Sequence, residues 1–466
     1  MSGLDTTTSS APSVSLRLRA GTDPIIEGRL AHALAVVADV LGLRVVDGPA
    51  DLTVGWGTTA DLQLPAGLQL RDRRVPAPAP VWIDRGNGRR LPAFHPASDG
   101  ALDHLAEVFE WTSGLHELAV LDRDAVGRIA SRDTLPIRAG LDPTVAWASR
   151  IIDDFAERIL AVRPEFEAVI ARTGEPVVAL SHDLDFYGRG SADAVRRVAR
   201  AILAAARRRD AATVRRILAI VAREPHRVGR RLATVEPLVD LDAAHGVEAT
   251  WVVIPRREHR RDANYELDDI VDVVAWLDDV ADVAVHGSYT SLDGTTRLGD
   301  EYAAMRAAGV PVTGGRQHWL RFAGLELFAA LEAAGATWDS SVAYSDRVGF
   351  RHGMASPYRM WDPVEERTIP VLQIPLVMMD MSLDSLQRSG ADWRRPAEAV
   401  LRELGQVRGG GASILWHDTV FSGLQTDPGI VDFYRDVLAQ PFTWRSLSAV
   451  AAGWNPSGVG QAAARR

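Results

Sequence analysis

Apolar and polar positions divide the chain into two stretches with different rhythms. From Val14 to about Thr134, short apolar runs at Ser15–Arg19, Leu43–Val46, Leu52–Gly55 and Val81–Ile83 predict strands. Ile25–Leu41 and Leu102–Leu118 repeat their apolar residues at the helical period. Pro65–Pro80 is rich in Pro and Arg and reads as loop. Leu141–Ile170 is helical in pattern and broken near Pro164, because a proline ring removes an intrahelical hydrogen bond. Beyond the loop Thr173-Gly174-Glu175-Pro176, strand-like and helix-like segments alternate. Candidate strands are Val177–Leu184, Glu248–Ile254, Val283–Gly287, Val310–Gly314, Thr337–Ala343, Val371–Met379 and Ser413–Thr419. Amphipathic helices fall between them near Leu232–His245, Asp268–Val280, Asp300–Ala308, Leu325–Ala334 and Arg395–Val407. Alternation of this kind builds right-handed βαβ units around a parallel sheet or barrel. The expected fold is α/β: a distorted (β/α)7-type barrel, preceded by a smaller α/β domain. The expected division is a disordered tail at 1–13, an N-terminal α/β domain at 14–135, a helical connector at 136–176, the barrel at 177–455 and a second tail at 456–466.

One segment interrupts the alternation. Residues 189–231 hold 13 Arg against Asp193, Asp210 and Glu224, with Val195, Val198, Ala199, Ile202, Leu203 and Ala206 at helical spacing. The plain reading is a basic helical insertion with a solvated face. The sharper one is a surface facing anions: acidic glycan, lipid-linked sugar or membrane headgroups.

Chemistry gathers at the ends of the predicted strands, where barrels of this class keep their sites. VVALSHDLDFY runs from Val177 to Tyr187, and strand alternation points Asp183 and Asp185 the same way. Two carboxylates on one face are costly unless a metal ion or a shared proton lies between them. A chance pair of turn aspartates is the bland alternative. Later strands end in His286, in Arg316 and His318, in Asp380, and in His417 and Asp418, while Asp339 lies in the fifth. A lone histidine is more often structural than a ligand; the shared position of these residues is what counts. A carboxylate and one or two imidazoles can hold a divalent ion with an open position for water. A second carboxylate can take that water's proton, a histidine can protonate the leaving group, and Arg316 can keep the base charged. Trp319, Trp338, Trp361 and Trp416 adjoin these segments, as sugar-stacking walls or as core. Elsewhere His95, His104 and His116 are scattered and read as structural or exposed, and His182 as facing away from its two Asp neighbours.

Composition narrows the chemistry. The 466 residues are 47% hydrophobic and 24% charged, and the net charge of −9 argues against a general nucleic-acid binder. Cysteine is absent, which excludes disulfides, thiolate nucleophiles and Cys-held zinc. Lysine is absent as well, which excludes Schiff-base chemistry and a Walker-type phosphate loop. Any metal must be held by His and carboxylate. The polar N-terminus lacks a signal-peptide pattern and no apolar run is long enough for a membrane span, so a cytoplasmic location is expected.

ALSHDLDF, VHGSY, GGRQHWLRF, AGATWDSSVAYSDRVGFRHG, IPLVMMD and ILWHDTVF, in that order between Val177 and about Phe421, resemble the polysaccharide deacetylases. These are the NodB-homology group, carbohydrate esterase family 4, and the likeness is to a branch with an SHDxD first motif and an extra N-terminal α/β domain. FEWTSGLHEL and DRDAVGRIAS resemble that extra domain loosely. The resemblance implies a NodB-like barrel, Asp183 as general base, Asp185 and His286 as metal ligands, Arg316 as the residue steadying the base, and His417 as general acid oriented by Asp339. The family's second ligand histidine falls at Thr290 here, and its Pro-Tyr after the arginine is replaced by Gln317 and His318. His318 is expected to supply the missing imidazole. Tyr289, Trp319 and Trp416 are expected to line the substrate. The expected activity is metal-dependent removal of an N-acetyl group from a carbohydrate, with a divalent metal, zinc by ligand type, as cofactor. The alternatives are hydrolysis of another non-peptide C–N bond in a small molecule, or a glycan-binding protein that kept the barrel and lost turnover.

Overall fold

The strands of the first domain are short because its apolar runs are short. The computed structural model describes residues 14–20, 23–66, 79–86, 88–118, 120, 122–170, 176–187, 191–223, 234–294, 297–322, 324–424 and 427–454. Strands β1 (Ser15–Arg19), β2 (Arg44–Val45), β3 (Leu52–Trp56) and β4 (Leu62–Leu64) form a parallel sheet in the order β2-β1-β3-β4. Strands β5 (Val81–Asp84) and β6 (Arg90–Ala93) pair antiparallel. Helix α1 (Pro24–Leu41) starts where the Asp23 carboxylate accepts the Ile25 N–H and stops at Gly42, φ 69°. The helix expected over Leu102–Leu118 is two, α2 (His104–Ser113) and α3 (Leu115–Leu118). They are split at Gly114, φ 70°, where a Cβ would also overlap Met360. After α4 (Leu135–Arg138), the connector is helical over α5 (Trp147–Val162) and α6 (Glu167–Ile170), with Pro164 opening the 3₁₀ turn between them. The expected tails at 1–13 and 456–466, most of the Pro65–Pro80 loop, residues 173–175 of the boundary loop, and residues 189–190 and 224–231 of the basic insertion lie outside the described residues.

The second stretch builds one large sheet from β7 (Val177–Leu184), β8 (Thr250–Val253), β9 (Asp282–Gly287), β10 (Gly314–Gln317), β11 (Trp338–Asp339), β12 (Tyr358–Asp362), β13 (Arg367–Gln373), β14 (Leu376–Met379), β15 (Ala412–Leu415) and β16 (Thr443–Arg445). Its parallel path runs β13-β11-β10-β9-β8-β7-β15-β14, with β12 antiparallel on β13 and β16 on the start of β7. The two ends of that path are halves of one stretch, Arg367 to Met379, interrupted only at Ile374–Pro375. Its first half pairs with β11 and its second with β15. Across the break, the Ile374 N–H donates to the Asp339 carbonyl at 2.8 Å and the Ser413 N–H to the Pro375 carbonyl at 2.7 Å. Proline at the break has no N–H to give a ladder, and the strand changes partner there. The path therefore returns on itself as a distorted seven-stranded barrel. β10 lies further along the chain than the expected Val310–Gly314. Its Gly314 and Gly315 admit the Trp338 indole and the Val285 carbonyl, each 2.1 Å from where a Cβ would stand. This shift puts Arg316 and Gln317 inside the strand.

Candidate active site

Four parallel strands and the loops that follow them deliver the site. β7 carries Asp183 and leads into Asp185, β9 carries His286, β10 carries Arg316 and leads into His318, and β15 leads into His417. In the sheet registers Arg316 pairs with His286, while Asp183 pairs through Val252 of β8 with Ala284, two residues before His286.

Arg316 is fully buried and lies across the barrel interior. Its Nη1 donates to Asp183 Oδ1 at 2.8 Å, its Nη2 to the Ser181 hydroxyl at 2.8 Å, and its Nε to the Ser340 carbonyl at 3.1 Å. The other oxygen of Asp183 faces His286 Nε2 at 3.5 Å and His417 Nε2 at 3.6 Å. Burial alone would push the Asp183 carboxyl up, but His286, Arg316 and His417 together hold it down at about 2.

His286 donates from Nδ1 to the Arg316 carbonyl at 2.9 Å, which leaves the Nε2 lone pair pointing into the site. That Nε2 is buried and has no hydrogen-bond partner, and neither has Oδ1 of Asp185. Burial lowers the His286 imidazole below its ordinary value, which favours the neutral, ligand-competent form. His318 stands beside it, ring centroids 4.9 Å apart, with Nε2 3.7 Å from Asp185 Oδ1 and Nδ1 3.5 Å from Asp262. Asp185 Oδ1, His286 and His318 each offer a ligand atom, all within 4.8 Å of one another. Two buried donor atoms without partners, aimed at one point from a His₂–carboxylate set, fit a divalent cation. Thr290, the departure from the family pattern, is turned away and donates its hydroxyl to Glu258 at 3.2 Å.

The structure corrects the expected partner of His417. Its Nδ1 donates to Asp380 Oδ1 at 2.7 Å, and Asp339 is elsewhere. The reason is strand order. β14 ends at Met379 opposite Leu415, so the next residues on the two strands, Asp380 and Trp416–His417, meet; β11 is not a neighbour of β15. Asp339 is buried, with its carboxylate taken by the Ser341 N–H and hydroxyl, both at 2.7 Å, and burial raises it to about 6. Burial opposes protonation of His417, yet Asp380, Asp183 and Asp185 raise it to about 10. Two further acids adjoin the site, Asp262, which the sequence reading missed, and Asp418, which it placed at the strand end without a role. Asp262 lies in the arginine-rich loop after β8, where it also accepts the Tyr289 and His259 N–H groups. Asp418 is buried beside Asp185, and burial with that neighbouring charge pushes it up to about 7. The His-Asp dipeptide at the strand end was the signal for the second; nothing in composition marked the first.

Trp416 is a second correction: it is fully buried against Tyr434 and presents no face to a ligand. Trp338 and Trp361 are likewise core. Trp319 is different. It is 40% exposed in the left-handed region, φ 64°, and its indole N–H donates to the Arg261 carbonyl. Tyr289 is stacked on His259 and flanked by Arg261 and Arg321. Trp319 and Tyr289 thus share an aromatic and arginine rim beside His318. His182 faces away from the two aspartates, as expected, held between the Trp416 carbonyl and Asp242.

A second group, His116, Glu117 and His352, also has metal-ligand spacing. Here the Arg351 guanidinium already holds both oxygens of Glu117, Nε at 2.9 Å and Nη2 at 2.6 Å. The set is a buried ion pair joining α3 to the barrel. His95 and His104, expected as structural or exposed, are buried against Glu110 and Asp154.

No family profile matches the chain. No curated protein matches it. Among solved structures it is similar to a provisionally described polysaccharide deacetylase involved in O-antigen biosynthesis from Bordetella bronchiseptica, at 12% identity and TM-score 0.30, over 62% of this chain and 90% of that one. It is also similar to a mutant, with restored activity, of a carbohydrate esterase family 4 pseudoenzyme, at 12% identity and TM-score 0.29, over 59% and 68%. An allantoinase matches at 15% identity and TM-score 0.35, over 59% and 90%. Two of these names fall in the family that the sequence motifs resemble. At such scores the likeness carries no argument, and the reading of the site rests on its own geometry.

Proposed function

We propose that the chain is a metal-dependent hydrolase that removes an N-acetyl group from a carbohydrate, releasing acetate and the free amine. The observation that carries this reading is the pair of buried, partnerless atoms, His286 Nε2 and Asp185 Oδ1, flanked by an Arg-held carboxylate and an Asp-held imidazole. Asp185, His286 and His318 would hold a divalent cation; zinc suits two imidazoles and a carboxylate with one position open. When bound, such a cation lowers the pKa of water and polarises a scissile carbonyl. Asp183, kept ionised by Arg316, takes the proton of the attacking water. His417, with its Nδ1 proton directed to Asp380, presents Nε2 to the same space and gives a proton to the departing amine. Asp262 steadies the His318 ring, as carboxylates beside ligand histidines do. Trp319 and Tyr289 supply faces on which a sugar ring can stack.

Acetate release from N-acetylated sugars, with and without chelator, tests the activity. Release abolished by chelator and restored by zinc is expected. A metal-loaded protein that releases no acetate from any of them would move the reading to another C–N bond. A second prediction concerns His318, which stands in for the histidine missing at Thr290. His318→Ala is expected to drop bound metal from about one per chain to a small fraction of that, because only two ligands remain. Unchanged metal content by elemental analysis would remove His318 from the ligand set.

A further inference from the structure

Helices α7 (Ser191–Arg207) and α8 (Ala211–Arg223) form the described part of the basic insertion, and their packing is unusual in two ways. Their inner face is satisfied. Ala201 and Ile217 are buried with Leu424, and Ala194, Val198, Ile202 and Ile220 pack around them in a small cluster separate from the main core. Their outer face is not wholly polar. Val195 is 68% exposed, Leu203 51%, Leu218 53% and Val221 36%. Four of the thirteen large exposed hydrophobic side chains among the described residues therefore lie within these two helices. Val195, Ala199, Leu203 and Ala206 recur at helical spacing as a stripe, and Arg196, Arg200 and Arg207 border it. Residues 191–223 carry nine Arg against Asp193 and Asp210 in a chain of net charge −9, and the Asp210 carboxylate accepts the Thr213 N–H at the start of α8.

The pair is fixed to the barrel mouth. Arg197 turns inward, its guanidinium 3.7 Å from the ring centroid of Phe186, the residue after Asp185, and it faces Asp418, the residue after His417. Ile220 seats against Gly423, φ 70°, where a Cβ would stand 2.8 Å from its Cδ1. Both strand ends that deliver Asp185 and His417 thus run into the base of these helices.

We infer that the outer face of α7 and α8 is a docking surface for an anionic lipid bilayer, which holds the barrel mouth at the membrane interface. Exposed aliphatic side chains bordered by arginine are what an interfacial helix needs: the apolar stripe enters the acyl boundary and the guanidinium groups meet phosphate. A merely solvated face leaves Val195, Leu203 and Leu218 without purpose. A soluble acidic polymer uses the arginines but not the stripe. A second copy of the same face brings two strongly basic surfaces together. The inference concerns this surface alone and stands whether or not the catalytic reading holds.

Flotation of the full chain with vesicles tests it. Binding is expected to vesicles of phosphatidylglycerol with phosphatidylcholine and not to phosphatidylcholine alone, and to weaken as salt rises. Each arginine near such a surface is worth about five-fold, so Arg200→Gln/Arg207→Gln/Arg215→Gln lowers partitioning by about a hundred-fold. Leu203→Asp/Leu218→Asp lowers it at least as far without removing a positive charge. Circular dichroism and metal content, which these exposed positions do not reach, show that each variant is folded. Absence of wild-type binding to anionic vesicles at low salt overturns the inference. So does binding that the Leu203→Asp/Leu218→Asp variant retains, which is the signature of a general polyanion surface. A wild-type dimer that this variant converts to monomer assigns the stripe to a second copy and overturns it equally.

Discussion

Asp183→Asn is expected to lower acetate release by about a thousand-fold, within the span that a general base contributes, while bound metal stays at the wild-type level. Asparagine keeps an oxygen for Arg316 Nη1, so the guanidinium that spans Ser181, Asp183 and Ser340 retains its hydrogen bond. It removes the charge. The position facing His286 and His417 can then no longer accept a proton, and Arg316 loses its counterion in a dry interior. Some loss of thermal stability accompanies this change, because a buried charge without its partner is costly. Rates are therefore compared on protein shown to be folded, with metal measured on the same sample. Turnover within ten-fold of wild type would remove Asp183 from the role of base. Loss of metal together with turnover would place Asp183 among the cation's ligands instead.

Arg351→Met is expected to destabilise the fold by about 3–5 kcal/mol, the range for breaking one side of a buried ion pair. Glu117 has no exposure, and Arg351 supplies three of its contacts. His352 Nε2 approaches the same carboxylate at 3.4 Å, and the Tyr358 hydroxyl lies 2.7 Å from His352 Nδ1. Removing the guanidinium leaves a fully buried carboxylate without its arginine partner between α3 and the barrel. Changing both partners, Glu117→Gln with Arg351→Met, is expected to recover much of the loss, since no uncompensated charge then remains. Denaturant unfolding of the four proteins of this cycle measures the coupling. A double variant as unstable as the sum of the singles would show that packing, not charge, holds the junction.

The same pair gives the stability one part of its acid dependence. Burial pushes the Glu117 carboxyl up, but Arg351 and His352 hold it well below its ordinary value of 4.5. A carboxyl depressed in the folded state stabilises fully above its unfolded value, and that contribution is lost as pH falls toward the native value. Wild type is therefore expected to lose stability below about pH 4.5, and the double variant to lose this component of the slope.

The motifs at the strand ends were legible because strands deliver side chains by simple rules. Alternation placed Asp183 and Asp185 on one side and His182 on the other, and the folded chain keeps that arrangement. Sequence spacing could not show which carboxylate meets His417. Asp339 and Asp380 both sit at strand ends, and the choice between them depends on which strands are neighbours. Nor could it show that Arg316 lies within β10, because Gly314 and Gly315 look like a turn until the indole of Trp338 fills the space above them.

By itself the sequence determined the chemistry available to this protein: no thiolate, no lysine amine, and six of seven expected strands bringing acids, imidazoles and one arginine to their ends. Local periodicity sets such features, and periodicity is written in the chain. Tertiary structure decided the partnerships. It closed the barrel through the broken strand at Ile374–Pro375, gave His417 to Asp380 and His318 to Asp262, and turned Trp416 inward. Each of these joins residues far apart in the chain, and the strand order that brings them together comes from burial of the whole core rather than from any segment alone.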